Sequence, residues 1–343
     1  MEPINVGFLT LYPFGIAVAL LLIPFFVIAA WAMKKRDLKT ETASVFAVIA
    51  IPLCFVLSRL AYCLMTMDQL FANGDFAAIF RVGEGGFLLW GAIAGMLLAA
   101  VLTGRITHQS AGKIADSAVI PACLVIAGIR LISGLMFSDH GIGMTLSSWF
   151  DPEETDYAYR YSLWILEDYS FFERFPFAVE NYYGSWCWAI FVLEAVWAGV
   201  MALITSRTRR EAGGRTALFV ILYACSQIVL EAMHRGQVIY LPWQGFVRAN
   251  HVLCAVALVA VICVCLKRLP KEERKKAAIR CFCQVVAALL IVVAMEFAAF
   301  EKKITLIATW PADVCHLIEI LACTWAALAA VRVWKKAYAE QSI

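Results

Sequence analysis

Long apolar runs separated by short polar connections make up most of this chain. A helix needs about 20 apolar residues to cross the hydrocarbon core of a bilayer. Runs of that length predict nine membrane-spanning helices, at about 8–33, 43–66, 85–103, 112–137, 187–205, 215–233, 249–267, 277–299 and 309–333. We therefore expect an all-α, polytopic membrane protein.

The sixth predicted helix carries an unusual polar stripe. In LYACSQIVLEAMHRGQ, polar residues recur at every fourth position, at Tyr223, Gln227, Glu231 and Arg235. Residues four apart lie on one face of a helix, so these side chains share a single face of an otherwise apolar segment. A polar stripe within a membrane helix requires a partner or a function.

Composition agrees with the membrane assignment. Hydrophobic residues account for 62% of the 343 residues, and charged residues for only 16%. A soluble globule cannot bury so large an apolar share, whereas a polytopic membrane protein requires it. The net charge of +3 comes from the connections between helices, so it reports topology and does not indicate nucleic-acid binding.

Basic residues predict the orientation of the helices. Five alternating segments are basic, namely KKRDLK (34–39), GRITHQSAGK (104–113), SRTRREAGGR (206–215), KRLPKEERKKAAIR (267–280) and RVWKKAYAEQ (332–341). By the positive-inside rule these segments face the cytoplasm, which places the amino terminus outside and the carboxyl terminus inside. The long loop 138–186, which contains DPEETD, is then on the outer face. We interpret the first apolar segment as a retained, signal-anchor-like helix.

Several other ionisable residues fall within predicted spans. Each costs at least about 2.5 to 3.5 kcal/mol near the bilayer centre, so each requires an explanation. For any single pair, mutual neutralisation is the simplest interpretation. The alternative for the whole set is a cavity whose fixed positive charge binds an anionic ligand, with Arg130 at the depth of lipid phosphates. Besides the stripe, the residues concerned are Arg59, Asp116, Arg130, Glu194 and His251.

The run RVGEGGFLLWGAIAGMLLAA is rich in glycine. Gly85 and Gly86 come at the entrance of the third predicted helix, and Gly91 and Gly95 are four residues apart inside it. Small residues at that interval allow two helix backbones to pack closely. A bare helix face bordering a lipid-sized cleft is the other interpretation, and the sequence leaves both open.

The last two predicted helices also contain polar residues, namely Glu296, Asp313, His316 and Glu319. A metal site is one interpretation. We favour a solvated helix start, because Asp313 follows a proline in the first turn, where a carboxylate matches the helix dipole. The 12 cysteines are scattered through apolar segments, and we interpret most of them as small core residues.

Two stretches resemble the prolipoprotein diacylglyceryl transferases. That family has a Gly-Gly pair followed by His or Tyr and a further Gly-Gly, and GGFLLWGA is similar, with Trp90 at the His/Tyr position. The family signature Gly-Arg-x-Gly-Asn-Phe, which runs on to a Glu and a Gly, resembles IRLISGLMFSDHG. There Arg130 matches the arginine, Ser133 the asparagine and Gly141 the final glycine.

The polar stripe resembles a third family pattern, Tyr-Gly-x-x-Arg-x-x-x-Glu followed by a nearby arginine. Tyr223 and Glu231 match, whereas Gln227 occupies the arginine position. His234 is in register with the last basic position, and Arg235 follows it. The family's Tyr-Gly corresponds here to Phe14-Gly15, and its Ala-Arg-Leu-Tyr corresponds to Arg59 with Tyr62. Weak similarities are Glu194, within the family's Leu-Tyr-Glu segment, and His251.

The resemblance implies a seven-helix core over residues 1–268, including the outer loop 138–186, and an additional hairpin with a cytoplasmic tail over 269–343. It implies transfer of a diacylglyceryl group from phosphatidylglycerol to the lipobox cysteine of prolipoproteins, in the bacterial cytoplasmic membrane. The implied partners are phosphatidylglycerol, prolipoprotein signal peptides and the bilayer, with no cofactor, metal or nucleic acid. The implied catalytic residues are Arg130, Tyr223, Gln227, Glu231, His234 and Arg235, and the implied substrate-binding residues are Phe14, Gly15, Arg59, Trp90, Gly91, Ser133 and Gly141.

Three residues depart from the family pattern, and they leave an alternative open. Gln227 lacks the charge of an arginine, Trp90 cannot act as a base, and Phe14 lacks a phenol. We hypothesise that His234 or Arg235 supplies the missing positive charge, and we expect Trp90→Phe to have little effect. The alternative is a non-catalytic descendant that binds a lipid or a lipoprotein. A small-molecule transporter is less favoured, because repeated halves and broken helices are not visible.

Overall fold

The computed structural model describes residues 4–6, 9–70, 76–82, 85–136, 171–180, 185–208, 211–234, 238–299, 310 and 312–339. Within these ranges nine helices are long and apolar enough to cross a membrane, which confirms the predicted number. In chain order they are α1 (Pro13–Lys34), α2 (Thr40–Met65), α3 (Leu89–Thr107), α4 (Ala111–Met136), α5 (Ile190–Arg207), α6 (Gly214–Met233), α7 (Ala249–Arg268), α8 (Lys271–Ala299) and α9 (Ala312–Ala337).

The largest differences between the predicted and observed helix starts are at α1 and α8. Helix α1 begins at Pro13, since proline is well suited to the first turn of a helix and the preceding residues form a strand. Helix α8 begins at Lys271, so most of the basic connection 267–280 is helical rather than a loop. Its first turn holds Glu272 and Glu273, whose charges match the positive end of the helix dipole, and lysine, arginine and alanine follow as strong helix formers.

Short hairpins and turns lie between the helices. Three antiparallel pairs are formed by β1 (Ile4–Val6) with β2 (Leu9–Leu11), β3 (Ala178–Glu180) with β4 (Trp186–Trp188), and β5 (Tyr240–Leu241) with β6 (Gln244–Arg248). A helical turn at Met67–Leu70 and a 3₁₀ helix at Phe76–Phe80 lie between α2 and α3. Of the loop 138–186, the structure describes residues 171–180 and 185–186.

Helix α6 is the most buried of the nine spans. It belongs to a hydrophobic core that also takes residues from α3, α4, α5 and α7, and this core includes buried residues of α8 and α9. The additional hairpin predicted at the carboxyl end therefore packs directly onto the helix that carries the polar stripe. A second core joins α1, α2, α3 and α4.

The glycines of α3 lie against the backbone of α2. A Cβ built on Gly95 would lie 2.7 Å from the Cα atom of Cys54, and one built on Gly91 would collide with the backbone carbonyl of Leu57. Real Cβ atoms do not approach a backbone so closely, so both positions require glycine. Close packing is therefore the interpretation that the structure supports, and α2 covers the glycine face. Before the helix, Gly85 and Gly86 adopt positive φ angles of 80° and 77°.

A buried carboxylate ties α4 to the beginning of α6. Asp116 accepts hydrogen bonds from the backbone N–H and the hydroxyl of Thr216, at 2.9 and 2.8 Å, and from the N–H of Gly213 at 3.0 Å. Arg36, which follows α1, lies 3.4 Å from the same carboxylate. The first N–H groups of a helix have no partner inside the helix, so Asp116 both satisfies them and fixes the position of α6 along α4.

Other basic segments meet at the same end of the bundle. Arg268, at the end of α7, lies 3.5 Å from Glu211 and donates a hydrogen bond to the carbonyl of Ala212 at 3.1 Å. Trp334 of α9 donates to the carbonyl of Gly214 at 2.7 Å. Since the basic connections gather here, the positive-inside rule assigns this end to the cytoplasm and the opposite end to the outer face.

Candidate functional site

Polar side chains from α3, α4, α5, α6 and α7 converge at the end of the bundle opposite the basic connections. Arg130 lies in the last two turns of α4, the stripe residues run from the middle of α6 to its last turn, and α3, α5 and α7 contribute residues from their first two turns. The polar stripe of α6 thus faces side chains of its neighbours, at the depth of the outer half of the bilayer. We call this group of residues the outer polar site; it consists of Trp90, Arg130, Glu194, Tyr223, Gln227, Glu231, His234, Arg248 and Asn250.

Arg130 is the central cation of the outer polar site. Its Nη2 atom lies 3.2 Å from Oε1 of Glu194 and donates a hydrogen bond to Oε1 of Gln227 at 3.3 Å. Gln227 in turn donates to the same oxygen of Glu194 at 3.4 Å. The side chain of Glu194 is only 1% exposed, whereas that of Arg130 is 28% exposed. Arg130 and Glu194 therefore neutralise each other, as the simplest interpretation predicted, yet part of the arginine side chain stays accessible.

His234 completes the surroundings of this carboxylate. Its Nε2 atom lies 3.5 Å from Oε2 of Glu194, and its side chain is 14% exposed. Glu194 thus lies between Arg130 on one oxygen and His234 on the other. A buried carboxylate is tolerated only where cations or donors compensate its lost hydration, and α4 and α6 supply them here.

Glu231 is held by a second chain of hydrogen bonds. Asn250 of α7 donates to Oε2 of Glu231 at 3.0 Å, and it accepts a hydrogen bond from the indole Nε1 of Trp90 at 2.8 Å. The Trp90 ring packs edge-on against Tyr223, with ring centroids 5.2 Å apart. Tyr223 is 1% exposed and interacts electrostatically with Arg130. The two halves of the outer polar site are thereby connected through Tyr223.

The structure brings together six of the residues proposed from the sequence, namely Trp90, Arg130, Tyr223, Gln227, Glu231 and His234. Ser133 is one helical turn beyond Arg130 on α4, and Phe14 and Gly15 form the first turn of α1 at the outer end. Arg235 and Gly141 lie outside the described residues. The catalytic and binding roles of all these residues stay predictions.

Arg59 has a different environment from the one expected. Its side chain donates hydrogen bonds to the backbone carbonyls of Ile79 and Arg81, both at 3.1 Å, and to those of Gly85 and Gly86. The residue is 5% exposed, so the guanidinium organises the segment that leads into α3. A contact between Arg59 and a substrate stays a prediction, and the packing of Gly91 against α2 gives that glycine a structural role as well.

Sequence reasoning missed two residues of the outer polar site, Arg248 and Asn250. Both belong to the segment RANH at the start of α7, of which only His251 was noted. Arg248 donates a hydrogen bond to the backbone carbonyl of Glu231. The available signal was an arginine and an asparagine at the outer end of an apolar span, where positive charge is otherwise uncommon.

One expectation changes with this geometry. Because Trp90 donates to Asn250, and Asn250 holds Glu231, replacing Trp90 by phenylalanine removes a hydrogen bond of the site. We now expect Trp90→Phe to have a measurable effect.

The fold and the outer polar site define a multi-pass membrane protein with a cluster of buried polar side chains at one end of its helix bundle. Residues 3–267 match the family model described as prolipoprotein diacylglyceryl transferase. The match covers well over half of the chain, so this chain belongs to the prolipoprotein diacylglyceryl transferase family and is a transferase. It ends before α8, which begins at Lys271.

Three relatives are similar to this chain over most of their own length. A phosphatidylglycerol–prolipoprotein diacylglyceryl transferase of Listeria innocua is 24% identical over 265 residues, which cover 76% of this chain and 86% of that protein. The protein of the same name in Listeria monocytogenes is 23% identical over 271 residues, covering 77% and 88% of the two chains. That of Shouchella clausii is 25% identical over 280 residues, covering 78% and 91%.

Proposed function

We propose that this protein transfers a diacylglyceryl group from phosphatidylglycerol to the cysteine thiol in the lipobox of prolipoproteins. The family membership supports this proposal, and the names of the relatives specify the donor lipid and the acceptor protein. The protein would act in the cytoplasmic membrane of a bacterium, with the signal peptide of the prolipoprotein and the lipid both entering from the bilayer.

The reaction forms one bond and breaks one. The cysteine sulfur attacks the glyceryl carbon that bears the phosphate, a C–S bond forms, and the C–O bond to the phosphate breaks. The products are a thioether and glycerol phosphate, and the thiol proton leaves the sulfur. The thiolate is the effective nucleophile, so the site must accept that proton and must stabilise the charge on the departing phosphate.

Arg130 is the group that we assign to the phosphate. Two observations on Arg130 support this assignment most directly. Its Nη2 atom is held by Glu194 and Gln227, and its side chain is nevertheless 28% exposed. A guanidinium fixed in this way has further N–H groups that can donate to phosphate oxygens without reorganising. Preorganised donors of this kind stabilise the charge that develops in the transition state.

We assign proton transfer to Glu231, and we assign to His234 a positive charge near the phosphate. Asn250 orients the Glu231 carboxylate, which can then accept the thiol proton. His234, beside Glu194, can add positive charge near the phosphate when it is protonated. It would thereby replace part of the charge that the family pattern places at position 227.

The test is an assay with purified protein, phosphatidylglycerol and a lipobox peptide. We expect the peptide to gain the mass of one diacylglyceryl unit, and we expect Arg130→Ala to lower the rate by at least about 100-fold. Glu273→Gln is the control, because Glu273 is exposed at the cytoplasmic end and pairs with Lys336. Phosphatidylglycerol that binds without any mass gain in the peptide would instead support a non-catalytic lipid-binding protein.

A further inference from the structure

The hairpin α8–α9 presents polar side chains to the core and not to solvent. Glu296, near the outer end of α8, has a side chain that is 17% exposed, and His316 and Glu319 on α9 are fully buried. The solvated helix start was expected from Asp313, whose side chain lies outside the described residues, whereas His316 and Glu319 lie further along α9. Because α8 ends and α9 begins at the outer face, these residues lie at the same depth as the outer polar site.

Glu296 reaches the first turn of α7. Its Oε2 atom lies 4.0 Å from Nε of Arg248, and its Oε1 atom lies 3.8 Å from Nδ1 of His251. The same turn contains Asn250, which donates to the side chain of Glu231. Glu296 of the hairpin therefore contacts the same turn of α7 that orients Glu231 in the outer polar site.

Arg248 links the hairpin to Glu231 itself. It donates a hydrogen bond to the backbone carbonyl of Glu231, in the last turn of α6. The final carbonyls of a helix have no partner inside that helix and form the negative end of its dipole, so a guanidinium is a suitable cap. The Arg248 side chain is only 10% exposed, and a buried guanidinium is stable only where negative groups balance it.

Within the described part of the hairpin, Glu296 is better placed than Glu319 to balance Arg248. Glu319 pairs with His316 on the same helix, since its Oε2 atom lies 2.9 Å from Nδ1 of that histidine. Glu296 lies beside the first turn of α7, with Nε of Arg248 near one of its oxygens and the imidazole of His251 near the other. The carboxyl group of Glu296 is thus directed at the turn of α7 that contributes Arg248 and Asn250 to the outer polar site.

We propose that Glu296 is a positioning residue for diacylglyceryl transfer, which makes the hairpin part of the active site. Glu296 holds Arg248, Arg248 caps α6 at Glu231, and the same turn of α7 places Asn250 on the Glu231 carboxylate. This inference rests on the proposed function. The competing view is that the hairpin only stabilises the bundle.

The test compares Glu296→Gln with Glu273→Gln, which is the same chemical change on the same helix at its exposed cytoplasmic end. Transfer to the lipobox peptide is measured with phosphatidylglycerol in detergent micelles, together with the melting temperature of each variant. We expect Glu296→Gln to lower kcat on the order of tenfold, with little change in the KM for the lipid, and Glu296→Asp to restore part of the loss. The Glu273→Gln variant should stay within about twofold of the unchanged protein.

A double variant distinguishes positioning from simple stabilisation. If Glu296 acts through Arg248, then Glu296→Gln should change kcat less than about twofold in a protein that already carries Arg248→Gln. Equal kcat values for Glu296→Gln and Glu273→Gln would overturn the inference, and so would a double variant in which the two substitutions lower kcat independently. Either result would leave the proposed function intact, provided that the unchanged protein transfers the diacylglyceryl group. Absence of transfer by the unchanged protein would overturn the proposed function and this inference with it.

Discussion

Replacing Glu194 by glutamine removes the negative charge between Arg130 and His234 and preserves nearly the same shape. The Arg130 guanidinium, 3.2 Å away, would then remain in the protein without this counter-charge. Removing one partner of a buried ion pair is destabilising, because the remaining charge has lost its hydration and gained no compensation. We therefore expect Glu194→Gln to lower the free energy of unfolding.

The magnitude follows from the geometry. At 3.2 Å and an effective dielectric constant of about 20, the attraction in one ion pair is about 5 kcal/mol. Water reaches the 28% exposed side chain of Arg130 and screens part of this attraction, and an amide at position 194 still accepts a hydrogen bond. The net loss in the free energy of unfolding should be about 2 to 3 kcal/mol.

Titration of the purified protein with sodium dodecyl sulfate measures this free energy. Glu273→Gln is the matched control, and it should leave the free energy of unfolding nearly unchanged, because Glu273 forms an exposed ion pair that water screens. The double variant Arg130→Gln with Glu194→Gln should be more stable than Glu194→Gln alone, since it also removes the unpaired cation. A double variant that is less stable than Glu194→Gln, or a Glu194→Gln protein as stable as the control, would refute the reasoning.

Three further substitutions test other parts of the structure. Asp116→Asn should lower the melting temperature, because the charge that faces the N–H groups at the start of α6 is lost. Asp37→Asn is the exposed control, and equal melting temperatures of the two variants would show that Asp116 does not stabilise the start of α6. Gly95→Leu should prevent stable folding, because even its Cβ would lie 2.7 Å from the α2 backbone; solubilised protein that elutes as a monodisperse peak would contradict this. Trp90→Phe should slow transfer about tenfold without a loss of folded protein, and an unchanged rate would show that the bond to Asn250 is dispensable.

The number of helices could be predicted from sequence because it depends only on local composition. An apolar run of about 20 residues is sufficient to form a spanning helix whatever its neighbours are. The polar stripe was predictable for the same reason, since the four-residue spacing of Tyr223, Gln227 and Glu231 follows from helix geometry alone. The structure confirms the spans and places the stripe against polar groups of other helices.

The pairing of charges could not be predicted in this way. Arg130 and Glu194 are on helices that the long outer loop separates, and the rotation of each helix about its axis decides whether they meet. Tertiary packing sets that rotation, and the sequence pattern of one helix does not contain it. The burial of His316 and Glu319 could not be predicted for the same reason, because it depends on how α8 and α9 pack onto α6 and α7.

The glutamine at position 227 fits a redistribution of charge within the outer polar site. An arginine at 227 would place a second guanidinium beside Glu194, where Gln227 now donates to one carboxylate oxygen at 3.4 Å and accepts from Arg130 at 3.3 Å. The other oxygen of Glu194 lies 3.5 Å from His234, which can carry the positive charge instead. The carboxylate thus retains partners on both oxygens although the arginine is absent. If His234 supplies the charge that the arginine would have carried, Gln227→Arg should raise the transfer rate only slightly. His234→Gln should lower the transfer rate by about tenfold or more, and the peptide mass assay measures both rates.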